Sequence, residues 1–253
     1  MPPNPFNSQD ARRYSNYNAL DNTPYKTDSE FGDSPQHNFN EHIARKLNTF
    51  IINKNHPCIM ARSAFRSGSC RFGVYPELGS INATAGLSRD LISFLHERSK
   101  IPGAYASFMA VFQAPKSMSE AVFEEKLWQQ LNLLHQAAKP FYSWDTTTSS
   151  NPVDSKFSFS FGGKAFYIVG MHPNSSRKAR RFEYPMLVFN LHEQFEALRN
   201  EGIYEKVKSV VRRNDKRLQG TVNPMLKDFG DASEARQYSG RSVADNWKCP
   251  FLS

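Results

Sequence analysis

Apolar residues recur along this chain in two rhythms, and the switches between them mark its elements. In NEHIARKLNTFIIN, Ile43, Leu47, Phe50 and Ile51 fall at helical spacing, which predicts the helix that opens the folded region. HPCIMARSAFRSGSCRFGVYPELGS mixes short apolar runs with Gly and Pro. It predicts a strand or short helix followed by irregular structure, and a stretch that lines a pocket. SRDLISFLHERS, residues 88–99, predicts a helix capped by Ser88 with Leu91, Phe94 and Leu95 on one face. YASFMAVFQA, residues 105–114, has the make-up of a buried strand. The longest helix is predicted over 117–139, where Ser119 can cap and Val122, Leu127, Leu131 and Leu134 form the stripe.

Beyond the turn-rich TTTSSNPVD, the run 157–173 reads as a hairpin folded around Gly162 and Gly163. YPMLVFNLH, residues 184–192, predicts another strand, which leads into the helix EQFEALRNEG. IYEKVKSVVRRNDKRL, residues 203–218, continues as an amphipathic helix, and the tail from 219 has little periodicity. The irregular alternation predicts an α+β fold: a single mixed domain over 39–253 with a mainly antiparallel sheet packed by helices. Residues 1–38 are rich in Asn, Asp, Ser, Pro and Tyr with hardly any aliphatic side chains, which predicts a disordered or loosely attached arm.

Composition sharpens this picture in three places. Hydrophobic content of 39%, with twenty phenylalanines, suits a soluble domain with a well-filled core or a pocket for a flat apolar ligand. The formal charge of +8 favours anionic partners, and the excess is concentrated in 171–217. Cys58, Cys70 and Cys249 form no metal-binding spacing, and an odd count predicts free thiols and a cytoplasmic home. No apolar run is long enough to span a membrane, and the first residues lack the apolar stretch of a secretory signal.

The segment GMHPNSSRKARRF, residues 170–182, concentrates the candidate chemistry. His172 falls at a predicted strand end, Pro173 stops the strand, and four cations, Arg177, Lys178, Arg180 and Arg181, follow within five residues. Arg177 and Arg180 are spaced to share a face and clamp a carboxylate or phosphate. A solvated basic loop is the plain alternative. Nucleic acid is another, yet no RNA- or DNA-binding fingerprint occurs, and both phosphate-binding glycine motifs are absent. The G-x-S-x-G elbow of serine hydrolases is missing, as are the zinc-protease histidine pairs and the cysteine-ligand signature of cytochromes P450. A non-covalent haem remains open. It needs an axial side chain, an apolar slot and cations for its propionates, and His172, the Phe-rich strands, Arg177 and Arg180 have that chemistry.

Several long strings, taken together and in order, resemble one family. GMHPNSSRKARRFEYPMLVFNLHEQFEALR, LQGTVNPMLKDFGDASEARQYSGR and WKCPF, preceded by HPCIMARSAF and RFGVYPELGS, are similar to the YqcI/YcgG family over roughly residues 45–251. Members of known role are haem-dependent N-oxygenases that hydroxylate a nitrogen of arginine or of a related guanidine or amine in specialised metabolism.

The resemblance implies haem b, with His172 as iron ligand and Cys249, then His192, as alternatives. It implies Ser176, Arg177, Arg180 and Arg241 as propionate partners, with Arg236 a further candidate for a propionate or a substrate carboxylate. Glu193 and Glu234 are the carboxylates that would hold a guanidinium by paired hydrogen bonds. The partners implied are a small guanidine or amine substrate, dioxygen and an external electron donor such as a reductase or ferredoxin, with no nucleic acid and no membrane; a homodimer is compatible with this. The alternative function is a non-catalytic haem-binding or haem-sensing protein.

Overall fold

The computed structural model describes residues 3–20, 35–52 and 56–252. Its strands are β1 (Asn18–Leu20), β2 (Cys70–Glu77), β3 (Ser107–Ala114), β4 (Phe159–Phe161), β5 (Lys164–Met171) and β6 (Met186–Leu191). They form one open sheet in the order β1-β2-β3-β6-β5-β4. Only β2 and β3 run parallel; the other four neighbouring pairs are antiparallel. The hairpin β4–β5 turns at Gly162 and Gly163, both at positive φ, the backbone that a tight two-residue turn needs.

Alternation along the strands splits the apolar side chains between two cores. Phe108, Ala110 and Phe112 of β3, with Leu187 and Phe189 of β6, face one side. Met109, Val111 and Met186 face the other. Because both faces are covered, the central strands read as near-continuous apolar runs.

The first face is covered by α4 (Ile81–Glu97) and α5 (Glu120–Ala138). Leu87, Leu91 and Phe94 of α4 and Phe123, Leu127, Leu131 and Leu134 of α5 point into it, at the three- and four-residue spacing of one helical face. Ser119 caps α5 as its sequence predicts, accepting from the Val122 N–H. The cap of α4 differs from the expectation. It is Ser80, and Ser88 lies in the helix interior.

The second face is packed by α2 (Pro35–Ile52), through Ile43, Leu47 and Ile51, and by α3 (Ile59–Arg66), through Phe65. The chain continues into α6 (His192–Asn200) and α7 (Tyr204–Gln219), and α8 (Ala235–Tyr238) is the one helix of the tail among the described residues.

The expectation of a loose arm over 1–38 is corrected for residues 3–20. The helix α1 (Gln9–Tyr14) lies against α4, and β1 adds to the sheet beside β2. Approach is close at Gly86, where a Cβ would sit 2.0 Å from the Tyr14 carbonyl oxygen. The segment is held by apolar contacts, Phe6 on Phe161 at 5.7 Å, Tyr17 on Phe108 at 5.9 Å and Leu20 in the second core, and by polar anchors. Asp90 accepts from the Ser15 hydroxyl, from the Asn16 N–H at 2.7 Å and from the Tyr75 hydroxyl at 2.7 Å. Tyr17 donates to Glu97, which also pairs with Arg71 through Nε at 3.0 Å and Nη2 at 2.7 Å. Residues 21–34 of the predicted arm lie outside the described residues.

Candidate functional site

The structure does not gather the predicted haem residues of 172–180 around one space, and the reason is the alternation of β5. Met171 faces the second core, so His172, one residue on, turns to the α5 face. There its ring is 1% exposed and stacks on Phe123 at 4.4 Å, and neither ring nitrogen has a hydrogen-bond partner. Burial holds its pKa below the ordinary histidine value.

Of the four cations that follow, Arg177 and Arg180 are directed into the protein, while Lys178 and Arg181 are exposed. Arg177 meets Asp215 at 2.6 Å and the Thr221 carbonyl at 2.9 Å. Arg180 donates to the backbone carbonyls of Tyr238 at 2.8 Å and Gly170 at 3.2 Å. Ser176 donates both its N–H and its hydroxyl to Glu120, each at 2.8 Å.

The other predicted residues are dispersed. Arg241 pairs with the buried Glu124, and Arg236 donates to the Ala244 carbonyl at 2.7 Å. Cys249 packs against the first core, its thiol pushed up to about 12 by burial. Glu193 is half-exposed on the surface in an ion pair with Lys164 at 2.8 Å. Glu234 alone of the predicted set lines an apolar cleft on the second face of the sheet, and His192 stands beside it.

That cleft, of about 280 Å³, opens on the second face of the sheet. Its floor is apolar: Met109, Val169, Met171, Met186 and Val188. Leu47, Phe50 and Ile51 of α2 and Val207 and Val211 of α7 form walls. Cations stand at the rim, among them Lys208, Arg212 and Lys227. Arg212 reaches Asp228 only at 4.0 Å, while Lys208 is bound to Asp228 at 2.7 Å.

Two potential iron ligands enter from the start of α3. His56 is 8% exposed, lies edge-on to Phe50 at 5.1 Å, and its Nδ1 has no hydrogen-bond partner. Burial pushes its pKa down to about 4, so the imidazole is neutral at neutral pH. Cys58 is the N-cap of α3, and its Sγ accepts from the Ala61 N–H at 3.4 Å. Serine fills the equivalent position in α1, α4 and α5. Cys70 also lines the cleft, but it lies within β2 and is 2% exposed.

The polar part of the lining comes from α8 and β5. Burial pushes the Glu234 carboxyl up to about 8, against the hydrogen bond from the Tyr238 hydroxyl at 3.4 Å. His192 Nδ1 stands 4.0 Å from Glu234, its Nε2 3.2 Å from Glu196, and its ring packs on Phe229 at 4.4 Å. The Tyr167 hydroxyl donates to Gln237 at 3.0 Å. The site thus joins a soft donor, a neutral imidazole and a buried acid around an apolar hollow.

Sequence reasoning predicted a pocket lining for HPCIMARSAF without assigning its histidine or its cysteine a role. The available signal was the position of Cys58 directly before the apolar helix α3, where a capping residue stands. Among the described residues no group of three or more His, Cys, Asp or Glu is arranged to hold a bare metal ion. A haem iron, with one protein ligand, makes no such demand. The donors of the cleft fit that group. His56 presents an orphaned buried nitrogen, Cys58 a soft sulfur, and the floor is almost wholly apolar.

Fold and cleft together define a mixed α+β domain with an open, mostly antiparallel six-stranded sheet and a ligand-sized hollow on one face. The YqcI/YcgG family model matches residues 47–252, and the chain belongs to that family. It is 28% identical over 206 residues to the uncharacterized protein YcgG of Bacillus subtilis (strain 168), covering 77% of this chain and 80% of that protein. It is 27% identical over 223 residues to the uncharacterized protein YqcI of the same organism, covering 84% of each. No solved structure matches the chain. No helix among the described residues is long and apolar enough to cross a membrane.

Proposed function

We propose that this protein is a haem-dependent monooxygenase that hydroxylates a guanidine or amine nitrogen of arginine or a related small molecule. The observation that carries the reading is the cleft itself, an apolar hollow that combines the iron-binding side chains His56 and Cys58 with a buried carboxyl, Glu234. The family resemblance supplies the reaction class. Haem, when bound, supplies the redox chemistry that puts one oxygen atom of dioxygen on the substrate nitrogen. The balance is N–H + O2 + 2 electrons + 2 protons to N–OH + H2O, with the electrons from an external reductase or ferredoxin.

The chain's own residues bind and orient. The methionine and valine floor excludes water and receives a flat ring. Arg212 and Lys227 at the rim have the charge to meet propionates. Glu234, protonated up to about pH 8 when the cleft holds no cation, gives up its proton as a guanidinium approaches and accepts its paired N–H bonds. All three cysteines are free thiols, which suits the cytoplasmic location carried by this reading.

The test is spectroscopic. The purified full-length protein is titrated with haem, then with arginine and simple guanidines and amines, and finally supplied with a reductase and dioxygen. The expected result is a Soret band at one haem per chain, a Soret shift with a guanidine or amine, and a product heavier by one oxygen atom. Failure to take up haem overturns the reading. Haem uptake with no shift and no product from any such compound makes the protein a non-catalytic haem binder or sensor instead.

A further inference from the structure

We propose that Cys58, the N-cap of α3, is the side chain that would ligate the haem iron. This rests on the haem reading of the cleft and deepens it. His172, Cys249 and His192 do not line the cleft; His56, Cys58 and Cys70 do. Of these, Cys70 is locked inside a paired strand with 2% exposure, whereas Cys58 is half-buried at a helix start and lines the hollow.

Two independent observations support the assignment. The first is the environment of the sulfur. It accepts the Ala61 N–H at 3.4 Å at the positive end of the eight-residue α3. A backbone N–H aimed at a sulfur fixes its orientation and tunes its donor strength to a metal. The second is His56, two residues earlier. It is more than nine-tenths buried, lines the same cleft and keeps Nδ1 without a partner, so a polar ligand group is matched on the same wall.

The reaction class decides between the two side chains. A thiolate ligand pushes electron density toward bound dioxygen and favours O–O cleavage, which N-hydroxylation by dioxygen requires. His56 then acts as a positioning residue beside the bound ring. On ligation the S–H bond breaks, the S–Fe bond forms, and the proton leaves to solvent.

The experiment uses full-length protein loaded with haem, read by the absorption of the reduced carbon monoxide complex and by low-spin electron paramagnetic resonance. Wild type is expected to show thiolate-type signatures. His56→Ala keeps them, while Cys58→Ser loses them yet retains the capping oxygen that α3 needs. Cys58→His is expected to convert the signature to the imidazole type. Imidazole-type spectra in wild type that survive Cys58→Ser overturn the ligand assignment and leave the haem reading standing. So does a thiolate signature that disappears in Cys249→Ala instead. Wild-type protein without any Soret band overturns both. If Cys58→Ser fails to fold, Cys58→His decides the matter, because an unchanged thiolate signature in it also overturns the assignment.

Discussion

The Arg177 guanidinium meets the Asp215 carboxylate at 2.6 Å with each side chain 9% exposed. The pair fastens the loop after β5 to the end of α7, and Thr221 completes the guanidinium's hydrogen bonds. Arg177→Ala leaves a buried carboxylate uncompensated and is expected to cost about 3–5 kcal/mol of stability. Arg177→Lys also loses stability, because an ammonium cannot reproduce the fork. Urea denaturation measures both, and the double variant with Asp215→Ala is expected to cost less than the sum of the singles.

Glu234 makes stability depend on pH. Its folded pKa, about 8, lies above the ordinary 4.5, so the folded state holds the extra proton between those values. Its stabilising contribution is therefore whole below about pH 4.5 and declines as the pH rises through about 8, by on the order of 5 kcal/mol in all. Glu234→Gln removes this decline and is expected to melt higher than wild type above pH 8. Melting temperatures of the two proteins across pH 5 to ~9 test the sign.

The same proton couples to ligand binding. A guanidinium that pairs with Glu234 displaces it below pH 8, so affinity rises with pH toward that value and each binding event releases a proton. Calorimetry in buffers of different ionisation enthalpy reads the release. Glu234→Gln is expected to bind at least tenfold more weakly and without proton release.

Gly86 sets the docking of residues 3–20. A Cβ there would stand 2.0 Å from the Tyr14 oxygen and 2.3 Å from its carbonyl carbon, both backbone atoms that yield only if α1 moves. Gly86→Ala is expected to undock the segment and speed tryptic cleavage after Arg12 and Arg13, which are exposed but held within α1 in the docked chain. Hydrogen exchange should show lost protection over residues 3–20, with the central strands unchanged.

Gly170 is a packing glycine. A Cβ there would lie 2.8 Å from Leu127, from Phe123 and from the Tyr238 carbonyl oxygen. Gly170→Ala is therefore expected to destabilise by about 1–3 kcal/mol through overpacking. Denaturant midpoints measure it.

Much of the fold was legible because its signals are local. Ser119 before an apolar stripe gave α5, and paired glycines between two apolar runs gave the β4–β5 turn. The start of α4 was hidden because INATAGLSRD carries small residues that fit under α1, and a small-residue stretch does not read as an apolar stripe. The docked N-terminal segment was hidden for a related reason. Asn4, Ser15, Asn16 and Tyr17 bind Arg89, Asp90 and Glu97 more than 70 residues away, so no hydrophobic pattern marks them.

The site was less legible than the fold. Arg177 and Arg180 look free in the sequence because Asp215 and the carbonyls of Gly170 and Tyr238 become their neighbours only on folding. The alternation of β5, by contrast, was readable: Met171 toward the cleft fixes His172 away from it. Of the two carboxylates expected to meet a guanidinium, Glu193 lies at the surface and Glu234 in the cleft, and the burial of Glu234 against Tyr238 comes from the tertiary fold alone.

The two border strands of the sheet, β1 and β4, are three residues long each. They cover only residues 70–72 of β2 and 164–166 of β5, so residues 73–77 and 167–171 have no partner strand on their outer side among the described residues. Side chains meet the backbone where the short strands stop: Asn16 Oδ1 accepts from the Val74 N–H and Arg180 donates to the Gly170 carbonyl, each at 3.2 Å, so a strand added there would have to displace bonds already made.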